Sequence, residues 1–332
     1  MLPLALTMGD PAGVGGEITL KAWKALHNAP TETPFFLIGD ANHLKSCSKS
    51  SGISASIELI ETPADAKSVF ATALPVLHRP LDGPVDIGTP DPKNAPSVMA
   101  SIEMAVRFVE AGDAAAIVTN PIHKQSLYQA GFKFPGHTEY LAFLAGITTP
   151  PVMMLACPSL RVIPVTVHVS LREAIDSLTT DDIITISLIT AEALANDFGI
   201  IRPRLAIAGI NPHAGEGGAM GHEEDSVISP AIAELAKRGI DATGPWPPDT
   251  MFHGQARESY DAAICMYHDQ ALIPIKTVDF DGAVNVTLGL PFVRTSPDHG
   301  TAFDIAGSGK ASETSLLAAI ALASQMAYRR NS

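Results

Sequence analysis

Short apolar runs alternate along this chain with segments in which apolar positions recur every three or four residues. The runs read as strands and the periodic segments as helices, which predicts an α/β protein with a mostly parallel sheet. Residues 3–8 form the first expected strand, followed by a glycine-rich turn and a helix near 17–26. Residues 35–38 make a second strand. A helix is expected over 97–111, with Ser97 as its N-cap and Ile102, Ala105, Val106 and Val109 on its buried face. A buried strand over 114–119 follows, stopped by Asn120 and Pro121. Further strands are expected at 152–156, 161–167, 205–210 and 262–267, and further helices at 181–198, 226–238 and 312–328. Proline- and glycine-rich stretches at 80–96 and 244–248 read as loops, because periodic segments flank both.

Length and composition narrow the class. The 332 residues allow two domains or one large one, and 46% hydrophobic against 17% charged residues supports a sizeable core. No apolar stretch approaches the roughly 18 residues of a membrane helix. The start, Met1-Leu2-Pro3-Leu4, has neither a basic region nor a signal-cleavage pattern, so secretion is not expected. Cys47, Cys157 and Cys265 are odd in number and far apart, which fits a reducing, cytoplasmic compartment better than a disulfide framework. A net charge of −13 argues against a general nucleic-acid binder. An acidic protein that binds an anion must concentrate its few Lys and Arg in the site, so those residues matter.

Three of the eleven histidines share a context. His168, His213 and His268 each lie at or just past the carboxyl end of an expected apolar strand, where open parallel sheets place ligands. Three neutral imidazoles converging there could hold a divalent metal and leave positions open for substrate oxygens. An isolated strand-end histidine is more often a hydrogen-bonded structural residue, and the sequence gaps between the three match no zinc signature. The two readings stand evenly. Around His213, Asn211-Pro-His-Ala-Gly-Glu-Gly-Gly218 is too rich in glycine for core and reads as a loop that approaches a ligand closely. Beside His268, Asp269 is placed to orient the imidazole.

Anion-binding signals are scattered more widely. Thr7-Met-Gly-Asp-Pro-Ala-Gly-Val-Gly-Gly-Glu17 lies between a strand and a helix and suits either a phosphate cradle or a tight structural turn. It has neither a Walker ending nor G-x-G-x-x-G. His137 and Thr138 open another expected helix, where an anion is favoured, although Thr138 equally suits a cap. Lys276, Asn285 and Arg294 stand in an otherwise uncharged to acidic stretch, and Arg suits bidentate phosphate or carboxylate contacts.

Taken together, these segments resemble the 4-hydroxythreonine-4-phosphate dehydrogenase family. The match rests on Gly9-Asp-Pro-Ala-Gly-Val-Gly15, Gly136-His-Thr-Glu139, Asn211-Pro-His-Ala-Gly-Glu-Gly-Gly218, Tyr267-His-Asp-Gln270, Val284-Asn-Val-Thr-Leu-Gly-Leu-Pro-Phe292 and the stretch from Arg294 to Gly307. The resemblance implies two α/β/α domains with a cleft between them, like isocitrate and isopropylmalate dehydrogenases. On that basis residues 1–135 plus 295–332 form one domain and 136–294 the other. It implies NAD- or NADP-dependent oxidation and decarboxylation of 4-phosphohydroxy-L-threonine in vitamin B6 synthesis. A sister activity on D-threonate or D-erythronate 4-phosphate is the alternative, because His168-Val-Ser-Leu171 resembles those enzymes and Gly16 stands where many family members have Pro. His168, His213 and His268 would hold one divalent ion, Zn, Mg, Co or Mn. His137, Thr138, Lys276, Asn285 and Arg294 would bind substrate, and His299, Gly300, Asp304 and Gly307 the cofactor. Lys276 or Asp249 would accept the proton. A homodimer with shared sites is implied, with His268 reaching the metal held by the other subunit's His168 and His213.

Overall fold

The computed structural model describes residues 1–27 and 33–330. It divides into two compact units, Met1–Pro150 with Leu290–Ser332, and Pro151–Gly289.

In the first unit, β1 (Leu4–Thr7), β2 (Phe35–Gly39), β3 (Ile57–Ile60), β4 (Leu74–His78) and β5 (Ile117–Thr119) join the chain's last strand, β12 (Arg294–Pro297). Their order is β3-β4-β2-β1-β5-β12, and every pair is parallel. β1 and β2 are buried at every residue, as a parallel sheet covered on both faces requires. Ala5, Phe36 and Ile38 share a core with Val98, Ile102 and Ala105 of the helix Ala95–Glu110. The helices Gly15–Leu26 and Thr314–Arg330 pack on one another.

Ser97 is not a cap. The helix begins at Ala95, and the Ser97 hydroxyl accepts the Asp82 amide at 3.1 Å while donating to the Asp82 carboxylate at 2.6 Å. It pins the proline-rich loop before the helix instead. The expected domain limits also shift. The helix His137–Leu144 places Tyr140, Leu141 and Ala142 in the first core, so the unit continues to Pro150 rather than ending at 135. Arg294 belongs to this unit as well, because β12 pairs with β5 at Arg294 and Ile117.

The second unit contains β6 (Val152–Cys157), β7 (Leu160–Thr166), β8 (Arg204–Ala208), β9 (Asp241–Trp246), β10 (Ala262–Tyr267) and β11 (Val284–Leu288). The order is β11-β6-β7-β10-β8-β9. β6 runs antiparallel to both neighbours, and the remaining pairs are parallel. Two residues, Pro158 and Ser159, connect β6 to β7, and so short a link permits only antiparallel pairing. Leu155, Val162, Ala206, Ala263, Cys265 and Ile275 form the centre of its core. The segment expected as a helix over 226–238 begins as a wider π turn, Glu224–Ile228, before the α-helix Ser229–Lys237.

Strand order positions the chemistry. β7 and β10 are adjacent and parallel, with Thr166 opposite Tyr267. Residues just past those two positions therefore emerge side by side, about 5 Å apart, although a hundred residues separate them in sequence.

Candidate active site

His168 lies two residues beyond β7, and His268 directly follows β10 as the first residue of the helix His268–Val278. Their ring centroids are 5.8 Å apart. Both line a cavity of about 220 Å³ together with Thr166, Tyr267 and Asp269. The Asp269 carboxylate lies 2.8 Å from His268 Nδ1. A carboxylate can only accept, so Nδ1 carries the proton and Nε2 keeps a lone pair for a metal. Two imidazoles on one divalent ion have centroids about 5 Å apart, from metal–nitrogen distances near 2.1 Å and a tetrahedral angle. The pair fits such an ion.

His213 stands elsewhere. It lies five residues past β8 on a segment whose backbone turns left-handed at His213 (φ 54°), Ala214 (φ 50°), Gly215, Glu216 (φ 43°) and Gly217. Left-handed geometry costs a non-glycine residue about 1–2 kcal/mol, so the surroundings must hold it. Glu224 does so. Its buried carboxylate accepts the Ile210 and Asn211 amides, each at 2.8 Å, and the Asn211 side-chain amide at 2.9 Å. A Cβ on Gly215 would stand 2.7 Å from Glu224 Oε2, so only glycine admits the carboxylate there. Among the described residues, no three His, Cys, Asp or Glu side chains gather closely enough to hold a metal. Within one chain His168 and His268 lie together, because their strands are neighbours, and among the described residues His213 does not complete a group of three with them.

The first unit carries a cationic cluster. Arg294 is 3% exposed and donates through Nε (3.2 Å) and Nη2 (2.6 Å) to the Thr119 hydroxyl. Burial pulls its pKa down to about 10. His137 is half-buried, but its Nε2 is closed to solvent and has no hydrogen-bond partner among the described residues. Burial, then the Arg294 and Lys124 cations, holds its pKa well below the usual imidazole range. His137 is therefore neutral, with an unanswered nitrogen beside two positive charges. Lys124 approaches Gly136, where a Cβ would lie 3.4 Å from Lys124 Cε. Thr138 is the second residue of its helix, so it is not the cap, a place taken by Gly136.

The remaining expected residues sit as follows. Lys276 is half-buried, with Nζ 5.3 Å from the centre of the Phe280 ring. Asn285 on β11 has a buried Oδ1 with no partner among the described residues. Asp249 is exposed within the short helix Pro248–Met251. His299, Gly300 and Asp304 are exposed on the loop after β12, and Gly307 (φ 72°) packs against Ile87. That loop is fastened from beneath: the Glu17 carboxylate accepts the Ala311 amide at 2.9 Å, and Lys21 Nζ donates to the Gly309 carbonyl at 2.9 Å.

The glycine-rich segment after β1 proves to be part of that fastening. The amides of Asp10, Ala12, Gly13 and Val14 donate to Pro121 O, Asp10 Oδ1, Asp10 O and Thr301 O. A Cβ on Gly13 would lie 2.8 Å from the Thr301 carbonyl. Of the two sequence readings, the tight turn accounts for these four amides, and a phosphate cradle does not.

Residues 31–323 match the family described as pyridoxal phosphate biosynthetic protein PdxA. The chain belongs to the PdxA family. A 4-hydroxythreonine-4-phosphate dehydrogenase of Bradyrhizobium diazoefficiens is 55% identical, covering 98% of this chain and 97% of its own length. One from Caulobacter vibrioides is 52% identical over 99% of this chain and 98% of its own. A crystal structure of 4-hydroxythreonine-4-phosphate dehydrogenase from Klebsiella pneumoniae is 40% identical, with a TM-score of 0.89 over 98% of this chain and 100% of that one.

Two residues of this PdxA chain escaped the sequence reading. Glu224, which anchors the His213 loop, lies 11 residues beyond His213 and carries no motif of its own. Lys124 follows β5 by five residues in Asn120-Pro-Ile-His-Lys124. A lone lysine there looks like any surface cation until His137 is placed beside it.

Proposed function

We propose that this chain oxidises and decarboxylates 4-phosphohydroxy-L-threonine with NAD, yielding 3-amino-2-oxopropyl phosphate for pyridoxal phosphate synthesis. The observation that carries the reading is the full-length identity of 55% to a 4-hydroxythreonine-4-phosphate dehydrogenase, in a chain that sets His168 beside His268. His168 and His268, with His213, would hold the divalent ion. When bound, such an ion lowers the pKa of the substrate's secondary hydroxyl and stabilises the negative charge that develops as carbon dioxide leaves. NAD supplies the hydride acceptor. Zn, Mg, Co and Mn all suit imidazole and oxygen donors, and NADP is the second cofactor to assay.

The chain's own residues provide binding and orientation. Arg294, neutral His137 and Thr138 form the anion-recognising group of the first unit, with Lys124 as its outer cation. The low dielectric around Arg294 strengthens its attraction for a phosphate or carboxylate. Lys276 and Asn285 are substrate contacts from the second unit, where the orphaned Asn285 Oδ1 suits a donor such as the substrate amine. Lys276 and Asp249 are the residues to test as proton acceptor. His299, Gly300, Asp304 and Gly307 belong to the cofactor loop, which the Glu17 and Lys21 contacts hold rigid while leaving the first three exposed. A cytoplasmic location is consistent with three buried, free cysteines.

A homodimer completes the metal set. Leu171 (58% exposed), Ile273 (65%) and Phe280 (72%) are large apolar side chains near the histidine pair in sequence, as an interface would require. In this dimer His268 acts in trans to His168 and His213. Mixed dimers of His168→Ala with His268→Ala then regain one intact site, whereas His168→Ala with His213→Ala regain none. The opposite pattern would place His168 and His268 in one subunit and take His213 from the partner. The activity itself is tested by NADH formation from 4-phosphohydroxythreonine, 4-phosphothreonate and 4-phosphoerythronate with added metal. No NADH from the first substrate rejects the reading.

A further inference from the structure

Away from the histidine pair, the second unit has a larger cavity, about 480 Å³, whose lining includes Arg161, Arg204, Arg257, Ser159, Glu258 and Asp261. Arg161 and Arg204 stand at the amino ends of β7 and β8, and Asp261 immediately precedes β10. These three strands are mutually parallel through β10, and His168 and His268 lie past their opposite ends. At about 3.3 Å per residue, the seven residues from Arg161 to His168 span about 23 Å. The cavity is therefore separate from the catalytic histidines.

Its charges are unevenly answered. Arg204 is paired twice with Asp261, Nη2 to Oδ1 at 3.0 Å and Nε to Oδ2 at 3.1 Å. Arg161 and Arg257 make no ion pair within 4.0 Å among the described residues. Arg161 gives Nη1 to the Asp261 backbone carbonyl at 3.2 Å and lies 4.9 Å from the centre of the Phe198 ring. Arg257 gives Nη1 to Ser159 Oγ at 2.8 Å. Among the described residues, neither buried Nε–H has an acceptor. Two guanidinium groups line one cavity with no carboxylate hydrogen-bonded to either, and Asp261, whose charge acts on Arg161, is already bonded to Arg204; the pair is arranged as Arg residues are around tetrahedral oxyanions. The burial that lowers the Arg161 pKa sharpens this need for a counter-charge. In a chain with 22 Lys and Arg against 35 Asp and Glu, three arginines at one cavity are a local reversal of sign.

We propose that this cavity is a second anion site, distinct from the substrate site, that takes a phosphate group through Arg161 and Arg257. Ser159 and the amino-end loops frame it, and Glu258 and the Asp261–Arg204 pair limit its net charge, so it favours a small dianion over an extended polyanion. The group is either inorganic phosphate or the phosphate of a metabolite, and the chemistry of recognition is the same.

The test uses full-length protein carrying Arg294→Ala, which disables anion recognition in the first unit. Isothermal titration with inorganic phosphate should still show one saturable site per chain, and glycerol 3-phosphate in a parallel titration tells whether an ester binds more tightly. Arg161→Met and Arg257→Gln, each added singly, should weaken binding at least tenfold. Far-UV circular dichroism checks their folding, and the less buried Arg257→Gln carries the test should Arg161→Met misfold. In the otherwise wild-type enzyme, Arg257→Gln should leave KM for the phosphorylated substrate unchanged. Absence of saturable binding, or binding that survives Arg257→Gln, overturns the proposal.

Discussion

Replacing Arg294 by Met should abolish the protein's response to anions. The side chain is 3% exposed, and burial lowers its pKa to about 10. At about 1.36 kcal/mol per unit, that drop from the ordinary guanidinium range corresponds to roughly 3 kcal/mol of unfavourable charge burial. The sign follows from proton uptake. Just above about pH 10 the unfolded chain binds a proton that the folded chain has released, so stability rises with pH there. At every lower pH the cost is present in full. Met retains most of the apolar stem and removes the charge, but it also loses the hydrogen bonds to Thr119, each about 1.5–3 kcal/mol for a charged donor. These opposing contributions are of one size, so ligand-free stability should change by no more than about 2–3 kcal/mol and the anion response is the deciding readout.

Urea denaturation and thermal melts in phosphate-free buffer set the ligand-free baseline. The same melts with the phosphorylated substrate added should show a stabilising shift for wild type and none for Arg294→Met. A variant that retains the ligand-induced shift would show that Arg294 is structural and refute the assignment.

His137 is kept neutral by burial and by the Arg294 and Lys124 cations, so the unfolded chain takes up a proton that the folded chain refuses. Stability should fall as pH drops below about 6.5, and His137→Gln should flatten that slope in urea midpoints measured at successive pH values; an identical slope would count against it. Glu224→Gln keeps an acceptor for the Ile210 and Asn211 amides but sets a donor against the Asn211 side-chain amide, with an expected loss of about 1–3 kcal/mol in stability and weaker metal activation. Unaltered stability and metal titration would remove Glu224 from the loop-holding role. Asp269→Asn should weaken metal activation about 10–100-fold while leaving kcat at saturating metal near wild type. A fall in kcat that metal cannot restore would place Asp269 in the chemistry itself.

Much of this was legible in the residues. Strands such as Val152–Cys157 and Ala262–Tyr267 are compact apolar runs, and both appear within a residue or so of their expected limits. The elements that went unassigned lack that signature. β9 reads Asp-Ala-Thr-Gly-Pro-Trp and is half exposed, and β12 is four residues, Arg-Thr-Ser-Pro, buried by pairing with β5 rather than by hydrophobicity. The helix His268–Val278 contains Pro274, which ordinarily argues against a helix. The histidines were found because three strand ends share one residue type, but their grouping depends on strand order. β7, β10 and β8 are neighbours in that order, which is not their sequence order, and nothing local in the chain encodes it.

Under the proposed function, the two units meet an anionic substrate in an acidic chain by different electrostatic means. In the first, burial of Arg294 keeps solvent from screening its charge, and His137 beside it stays neutral. In the second, carboxylates do the positioning: Asp269 fixes the His268 tautomer, and Glu224 holds the strained backbone that carries His213. Glu224 is buried behind its segment, whereas Asp269 lines the cavity with its charge turned onto His268 at 2.8 Å. A net charge of −13 is then no obstacle to binding such an ester, because the sign that matters is the local one. The same reasoning explains why substitutions behind the histidines should register in metal affinity, while Arg294→Met registers in anion response.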